Sequence, residues 1–152
     1  RYLFVLQAFT KIYAVPGIRL GYGISSDKAL LERMETVRQP WSVSTPAQAA
    51  GLSALKEDHR EEQTRQLVKS ERERMEKELE NLRIEYIPSE ANFLLFNSEI
   101  NWFEELKKRG ILIRDCANYR GLGNGWYRLA VRLPEENDRL LECMKQVLNE
   151  RS

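Results

Sequence analysis

The chain of 152 residues has one histidine, His59, and two cysteines, Cys116 and Cys143. A lone histidine excludes any multi-histidine metal centre, and at the start of a charged stretch it reads as a helix-start or surface residue rather than a catalyst. The cysteines are far apart and in no metal-like spacing, which speaks against a disulfide framework and a zinc site. No apolar run approaches the roughly 18 residues of a membrane span, and no charged-then-apolar leader precedes the first strand-like segment. The formal net charge is only +1, so there is no electrostatic case for binding nucleic acid or an anionic membrane. What remains, at 42% hydrophobic and 31% charged residues, is the composition of an ordinary soluble globular protein, with the cytoplasm as its expected location.

The most informative stretch lies near the start. Tyr2-Leu3-Phe4-Val5-Leu6 reads as a buried strand, followed by Ala8-Phe9-Thr10-Lys11 and then Ala14-Val15-Pro16-Gly17-Ile18-Arg19-Leu20-Gly21. A lysine closing a buried strand would be partly desolvated, which favours the neutral, nucleophilic amine that forms a Schiff base with an aldehyde. The Pro-Gly step turns the chain, and Arg19 returns with a permanently charged fork suited to a phosphate. Alone, Lys11 would read as a solvated strand end. The glycines, proline and arginine at their offsets favour a cofactor seat.

The run Thr10-Lys11-x-x-Ala14-Val15-x-Gly17-x-Arg19-Leu20-Gly21 resembles the pyridoxal-phosphate attachment motif of the class I/II aminotransferases. The resemblance implies a fold-type I enzyme in which Lys11 carries pyridoxal 5'-phosphate and Arg19 binds its phosphate. The family usually places a serine three residues before the lysine, and here that position is Ala8, which removes one phosphate contact. A hydrogen bond to a charged group is worth about 1.5–3 kcal/mol, so the loss would weaken cofactor binding without abolishing it. In this family most of the large domain lies upstream of the lysine, so the chain is expected to be the C-terminal portion of a longer enzyme and inactive alone. Residues 1–57 would be a large-domain remnant, 58–83 a long connecting helix, and 84–152 a small C-terminal α/β domain, a sheet covered by helices on one face.

After the motif, Ser26 or Asp27 is a candidate N-cap for a helix carrying Leu30, Leu31, Met34 and Val37, ended by Gln39-Pro40. Thr45-Pro46 opens another, whose Ala47, Ala50, Gly51 and Ala54 form a small-residue face for close packing. Between them Trp41 reads as a packing residue; its surroundings, Arg38 to Ser44 and Ala47 to Gly51, are similar to histidinol-phosphate aminotransferases and threonine-phosphate decarboxylases. From Asp58, with His59 at its start, to Leu82 the sequence predicts a solvated helix of about 37 Å at 1.5 Å per residue, with Leu67, Val68, Met75, Leu79 and Leu82 as a narrow stripe. Strands are expected at 84–87, 92–96, 111–114 and 127–132, a helix over 102–108 closed by Gly110, and a last helix opening at Pro134.

In the final strand Tyr127, Leu129 and Val131 alternate with Arg128, Ala130 and Arg132, so Arg128 lies on the face opposite the core. Trp126 to Val131 looks like the family's small-domain strand, which implies that Arg128 binds the substrate's α-carboxylate. Arg114 introduces Asp115-Cys116-Ala117-Asn118-Tyr119-Arg120-Gly121-Leu122, a phrase close to threonine-phosphate decarboxylases, which implies a contact between Arg114 and a substrate phosphate or carboxylate. Asn118 and Arg120 are weaker candidates to assist. The expected activity is that of a pyridoxal-phosphate enzyme, a homodimer when whole, acting on a phosphorylated amino acid or amine. Its reaction would be threonine-phosphate decarboxylation or, alternatively, histidinol-phosphate transamination. A rival reading is a non-enzymatic domain whose charged helix and small sheet bind a partner protein.

Overall fold

The computed structural model describes residues 3–57 and 59–151; Tyr2 and Asp58, included in the expected first strand and long helix, lie outside them. The chain divides into two compact units between Thr64 and Arg65.

In the first unit, β1 (Phe4–Ala8) pairs antiparallel with β2 (Gly21–Ser25), Ala8 opposite Gly21 and Phe4 opposite Ser25. Between them lie a one-turn helix α1 (Phe9–Ile12) and a 3-10 turn at Pro16–Ile18. This corrects the expectation of a buried strand: every residue of β1 is exposed within this chain, Leu6 at 77%. A continuous apolar run reads as buried because such runs belong to strands covered on both faces, whereas here a single antiparallel neighbour accompanies it. The sequence reading also passed over β2, because glycine is depleted in strands. Its glycines are there for space: a Cβ on Gly21 would sit 2.7 Å from the Gln7 carbonyl oxygen, and one on Gly23 would strike the Phe4 ring.

Helix α2 (Lys28–Val37) is capped by the Asp27 side chain, which accepts from the Leu30 N–H at 3.0 Å. Helix α3 (Thr45–Ala54) is capped by Ser44, one residue earlier than Thr45-Pro46 suggested, its hydroxyl accepting from the Ala47 N–H. The small-residue face works as expected: Ala47 and Gly51 are buried, and a Cβ on Gly51 would lie 2.5 Å from Leu20 Cδ2. Trp41, expected to pack, is 96% exposed within this chain and has a left-handed backbone, φ 58°.

Helix α4 (Arg60–Asn81) contributes Met75 and Leu79 to the core of the second unit, where both are fully buried. It ends as a helix should when its last carbonyls need donors: Arg83 takes φ 55° and the Ile84 N–H reaches back to the Leu79 carbonyl at 2.9 Å. The antiparallel sheet has the order β3 (Tyr86–Ile87), β4 (Phe93–Asn97), β6 (Trp126–Ala130), β5 (Arg114–Asp115). Leu94, Phe96, Tyr127 and Leu129 point to one face and meet Trp102 and Leu106 of α5 (Trp102–Lys108) and Leu140, Leu141, Met144 and Val147 of α6 (Pro134–Asn149). The expected strand over 111–114 is shorter and later. Ile111 and Ile113 do turn toward the core while Leu112 is 74% exposed, but the Ile111 N–H is spent on the Leu106 carbonyl behind Gly110. Alternating burial therefore occurs without ladder hydrogen bonds.

Beneath the N-terminal end of α6, buried Asn137 works as a polar hub. Its carbonyl oxygen accepts from the Arg132 N–H at 3.0 Å, and its amide donates to the Arg132 carbonyl at 2.9 Å and to Glu71 Oε2 at 2.7 Å. Glu71 is held in turn by Arg74 through two hydrogen bonds, and Arg74 also reaches Asp138 at 2.7 Å. The Arg74 guanidinium holds the Glu71 carboxyl below the usual range, with burial opposing it.

Candidate functional site

Lys11 occupies the last turn of α1, not the end of a strand, and its side chain is exposed within this chain. The turn is anchored by Phe9, which is 5% exposed, stacks on Tyr13 at 4.9 Å and donates its N–H to the Leu20 carbonyl at 3.1 Å. The Tyr13 hydroxyl donates to Glu61 Oε1 at 2.5 Å. The segment holding Lys11 is thereby tied both to the strand that follows Arg19 and to the start of α4. Ala14 and Arg19 both have left-handed backbones, φ 54° and 57°. Such a conformation costs a non-glycine residue on the order of 1–3 kcal/mol and collects at ligand-binding turns. Arg19 donates one N–H to the Pro16 carbonyl at 3.1 Å, which folds its guanidinium back over the 3-10 turn; no carboxylate pairs with it among the described residues. A primary amine and an unneutralised guanidinium on one braced turn are the donor set that an aldehyde bearing a phosphate requires.

The second unit carries the other pair. Arg128 stands on β6, directly opposite Leu95 on one side and Arg114 on the other. Like charges facing each other across a ladder are destabilising, yet neither guanidinium is paired with a carboxylate among the described residues. Instead Arg128 lies over the Phe93 ring, 5.1 Å from its centroid, and Arg114 over the Tyr119 ring at 5.5 Å, with an N–H donated to Asn118 Oδ1 at 3.1 Å. Two stacked, unneutralised guanidinium groups in register form a natural seat for an anion. They line a groove of about 310 Å³ together with Ile113, Arg132, Arg139 and Glu136, the last neutralised by Arg132 at 2.8 Å.

The loop from Asp115 to Gly125 fixes Arg114 from the other side. Asp115 accepts from the Ala117 N–H at 2.8 Å, the Cys116 N–H donates to the Trp126 carbonyl, and Gly125, at φ 86°, passes so close to the Ser98 carbonyl that a Cβ would lie 2.7 Å away. Cys116 is fully buried, and burial pushes its thiol up although Arg128 and Arg114 pull the other way. It is a packing residue that feels both arginines. Of the two residues read from sequence as assisting, Asn118 accepts an N–H from Arg114, whereas Arg120 is exposed. Phe93 and Tyr119 were missed. Phe93 carries a register signal, lying on the Arg128 face of the sheet; Tyr119, in a loop, carries none.

The sequence profile described as Aminotransferase class I and II matches residues 1–143. The chain belongs to the class I and II aminotransferase family. It is 39% identical over 151 residues to the threonine-phosphate decarboxylase of Salmonella typhimurium, a match covering 97% of this chain and 42% of that protein. The histidinol-phosphate aminotransferase of Clostridium acetobutylicum superposes with a TM-score of 0.92 at 32% identity, covering 97% of this chain and 46% of that one. The histidinol-phosphate aminotransferase of Sinorhizobium meliloti, solved in complex with pyridoxal-5'-phosphate, shares the fold with a TM-score of 0.79 at 20% identity, covering 98% of this chain and 42% of that one. The chain thus spans under half the length of these family members, and the α/β architecture is that of fold-type I enzymes. None of the described helices is long and apolar enough to cross a membrane.

Proposed function

We propose that these residues work within a pyridoxal-phosphate enzyme that acts on a phosphorylated amino acid or amine, most like L-threonine-O-3-phosphate decarboxylase. Residues 1–57 would belong to its large domain, 58–83 to a connecting helix and 84–152 to its small domain. Histidinol-phosphate transamination is the second reading, supported by the Clostridium structure. Lys11 would hold the cofactor and Arg19 its phosphate. When bound, the cofactor supplies an electron sink for a carbanion at the substrate's α-carbon. The cytoplasmic, homodimeric setting expected from the sequence goes with this reading.

The observation that carries the substrate class is the pair Arg114 and Arg128, facing each other in the ladder with neither paired to a carboxylate among the described residues. A phosphate monoester offers several oxygens and close to two negative charges, enough to neutralise both. The resemblance alone would give Arg128 the α-carboxylate. In a decarboxylation, however, that carboxylate leaves as neutral CO₂, so a firm grip on it would stabilise the ground state above the transition state. Histidinol phosphate has no carboxylate at all. Both candidate substrates do carry a phosphate, so we assign the two arginines jointly to it. The free Lys11 amine then deals with the proton at the α-carbon: delivering one after CO₂ is lost, or moving one in transamination.

The whole protein tests this. Mixing it with pyridoxal phosphate, reducing with borohydride and mapping the adduct should place the label on Lys11; scattered surface labelling would favour the rival interaction domain. Threonine phosphate and histidinol phosphate are then offered in turn. Release of CO₂ from the first identifies the decarboxylase, and amino transfer from the second to an added 2-oxo acid the transaminase. The 152 residues alone are expected to show no turnover, and steady activity from them would overturn that expectation.

A further inference from the structure

We infer that Phe93 is a positioning residue for substrate binding, acting through Arg128; the inference rests on the assignment of Arg128 to the anionic end of the substrate. Phe93 belongs to the same strand as Leu94 and Phe96, both fully buried, yet it is 37% exposed on the opposite face, where the core has no use for it. What it touches there is the Arg128 guanidinium, 5.1 Å from its ring centroid. Phe93 faces Ala130 in the ladder and Leu95 faces Arg128, so the ring reaches the guanidinium diagonally, two residues along the facing strand and on the same face.

A guanidinium lying on a ring has its plane set while the N–H donors along its edge stay free, the state needed for a two-point grip on an oxyanion. The Arg128 guanidinium makes no hydrogen bond or ion pair among the described residues. The ring therefore supplies orientation without consuming a donor. Arg114 differs, since it spends one N–H on Asn118.

The position of the ring is itself braced at the backbone. The Val131 N–H donates to the Asn92 carbonyl at 2.9 Å, and Arg72, buried at 7% exposure, donates to the Ala91 carbonyl at 3.2 Å. Arg72 thus reaches from α4 to hold the residues that lead into Phe93, and Phe93 holds Arg128.

The test uses the whole, cofactor-loaded protein and three substitutions, with calorimetric binding of inorganic phosphate read beside KM and kcat for the phosphorylated substrate. Phe93→Leu keeps an apolar side chain but removes the ring. It is expected to weaken phosphate binding and raise KM about three- to five-fold, with kcat nearly unchanged and the melting temperature within about a degree. Phe93→Tyr should restore both constants to within about two-fold of the wild type. In an Arg128→Gln background, Phe93→Leu should have no further effect. If Phe93→Leu leaves binding intact while Arg128→Gln weakens it, or if the two effects simply multiply, the positioning role is wrong and the arginine assignment stands. If Arg128→Gln itself leaves phosphate binding unchanged, the underlying assignment fails first.

Discussion

The two units treat their apolar residues in opposite ways. In the second, Leu94, Phe96, Trp102, Leu106, Leu129 and Met144 are wholly withdrawn from water between one sheet and three helices. In the first, Leu6, Ile24, Val37 and Trp41 are 56–96% exposed, and among the described residues Phe9 and Ala47 are the buried apolar side chains. The cofactor motif lies in the less consolidated unit and the proposed substrate arginines in the consolidated one. Chemistry-bearing residues can thus be legible in a segment whose own folding energy is small: Lys11 and Arg19 are set by local turns, whereas Arg114 and Arg128 are set by a register that needs the whole sheet.

The largest expected effect separates chemistry from folding. Lys11→Ala in the whole protein should abolish the borohydride-trapped adduct and lower kcat by about 10³-fold or more, the scale lost with a proton-transferring group, while its unfolding midpoint stays put. An unchanged rate would remove Lys11 from the reaction.

The contrast between the units is sharpened next. In chemical denaturation of the 152-residue chain, Phe96→Ala should cost about 3–5 kcal/mol, the usual toll for emptying a packed aromatic site. Leu6→Ala should cost less than about 1 kcal/mol, because at 77% exposure it has little transfer energy to lose. Comparable losses at both positions would erase the distinction.

Much of the second unit could be read from the sequence, because its signals are local and mutually consistent. Trp102–Lys108 closes at a left-handed Gly110, and the alternation at Tyr127 to Val131 does send Arg128 away from the core. What escaped was non-local. The apolar run before Lys11 has the composition of a doubly covered strand, and composition cannot say whether the covering layers lie within the same 152 residues. β2 was hidden because its glycines exist to admit Gln7 and Phe4 from the strand opposite. Arg114 and Arg128 could each be named from the family phrase, but their direct opposition, with Phe93 and Tyr119 beneath them, follows only from the register.

A smaller effect belongs to the hub beneath α6. Asn137→Ala takes away the side chain that bonds both the Arg132 N–H and the Arg132 carbonyl, at about 1–3 kcal/mol for each polar group left without a partner, and removes one of the two donors to Glu71 Oε2, the other being Arg74. Thermal unfolding of the chain measures it. Asn137→Asp should be no better, since it sets a second carboxylate against Glu71 Oε2, where the amide now donates at 2.7 Å. A variant as stable as the parent would mean that water replaces the amide.

The smallest effect is a pH dependence. The Arg74 guanidinium, aided by Asn137, keeps the folded-state Glu71 ionised to a lower pH than an unfolded glutamate, which titrates near about 4.3. The unfolded chain therefore binds this proton first as pH falls. Stabilisation by Glu71 is complete above the unfolded value and disappears as pH drops through the lower, folded one. The melting temperature of the chain should consequently fall between about pH 5 and pH 3, and Glu71→Gln should lower it at pH 7 while flattening that decline. The carboxylate is nearly buried but Arg74 is 37% exposed, so solvent screens part of the attraction and the change remains below that of Asn137→Ala. A decline of undiminished slope in Glu71→Gln would assign the acid sensitivity to other carboxylates, with Glu78, held low by Lys145, the next to replace.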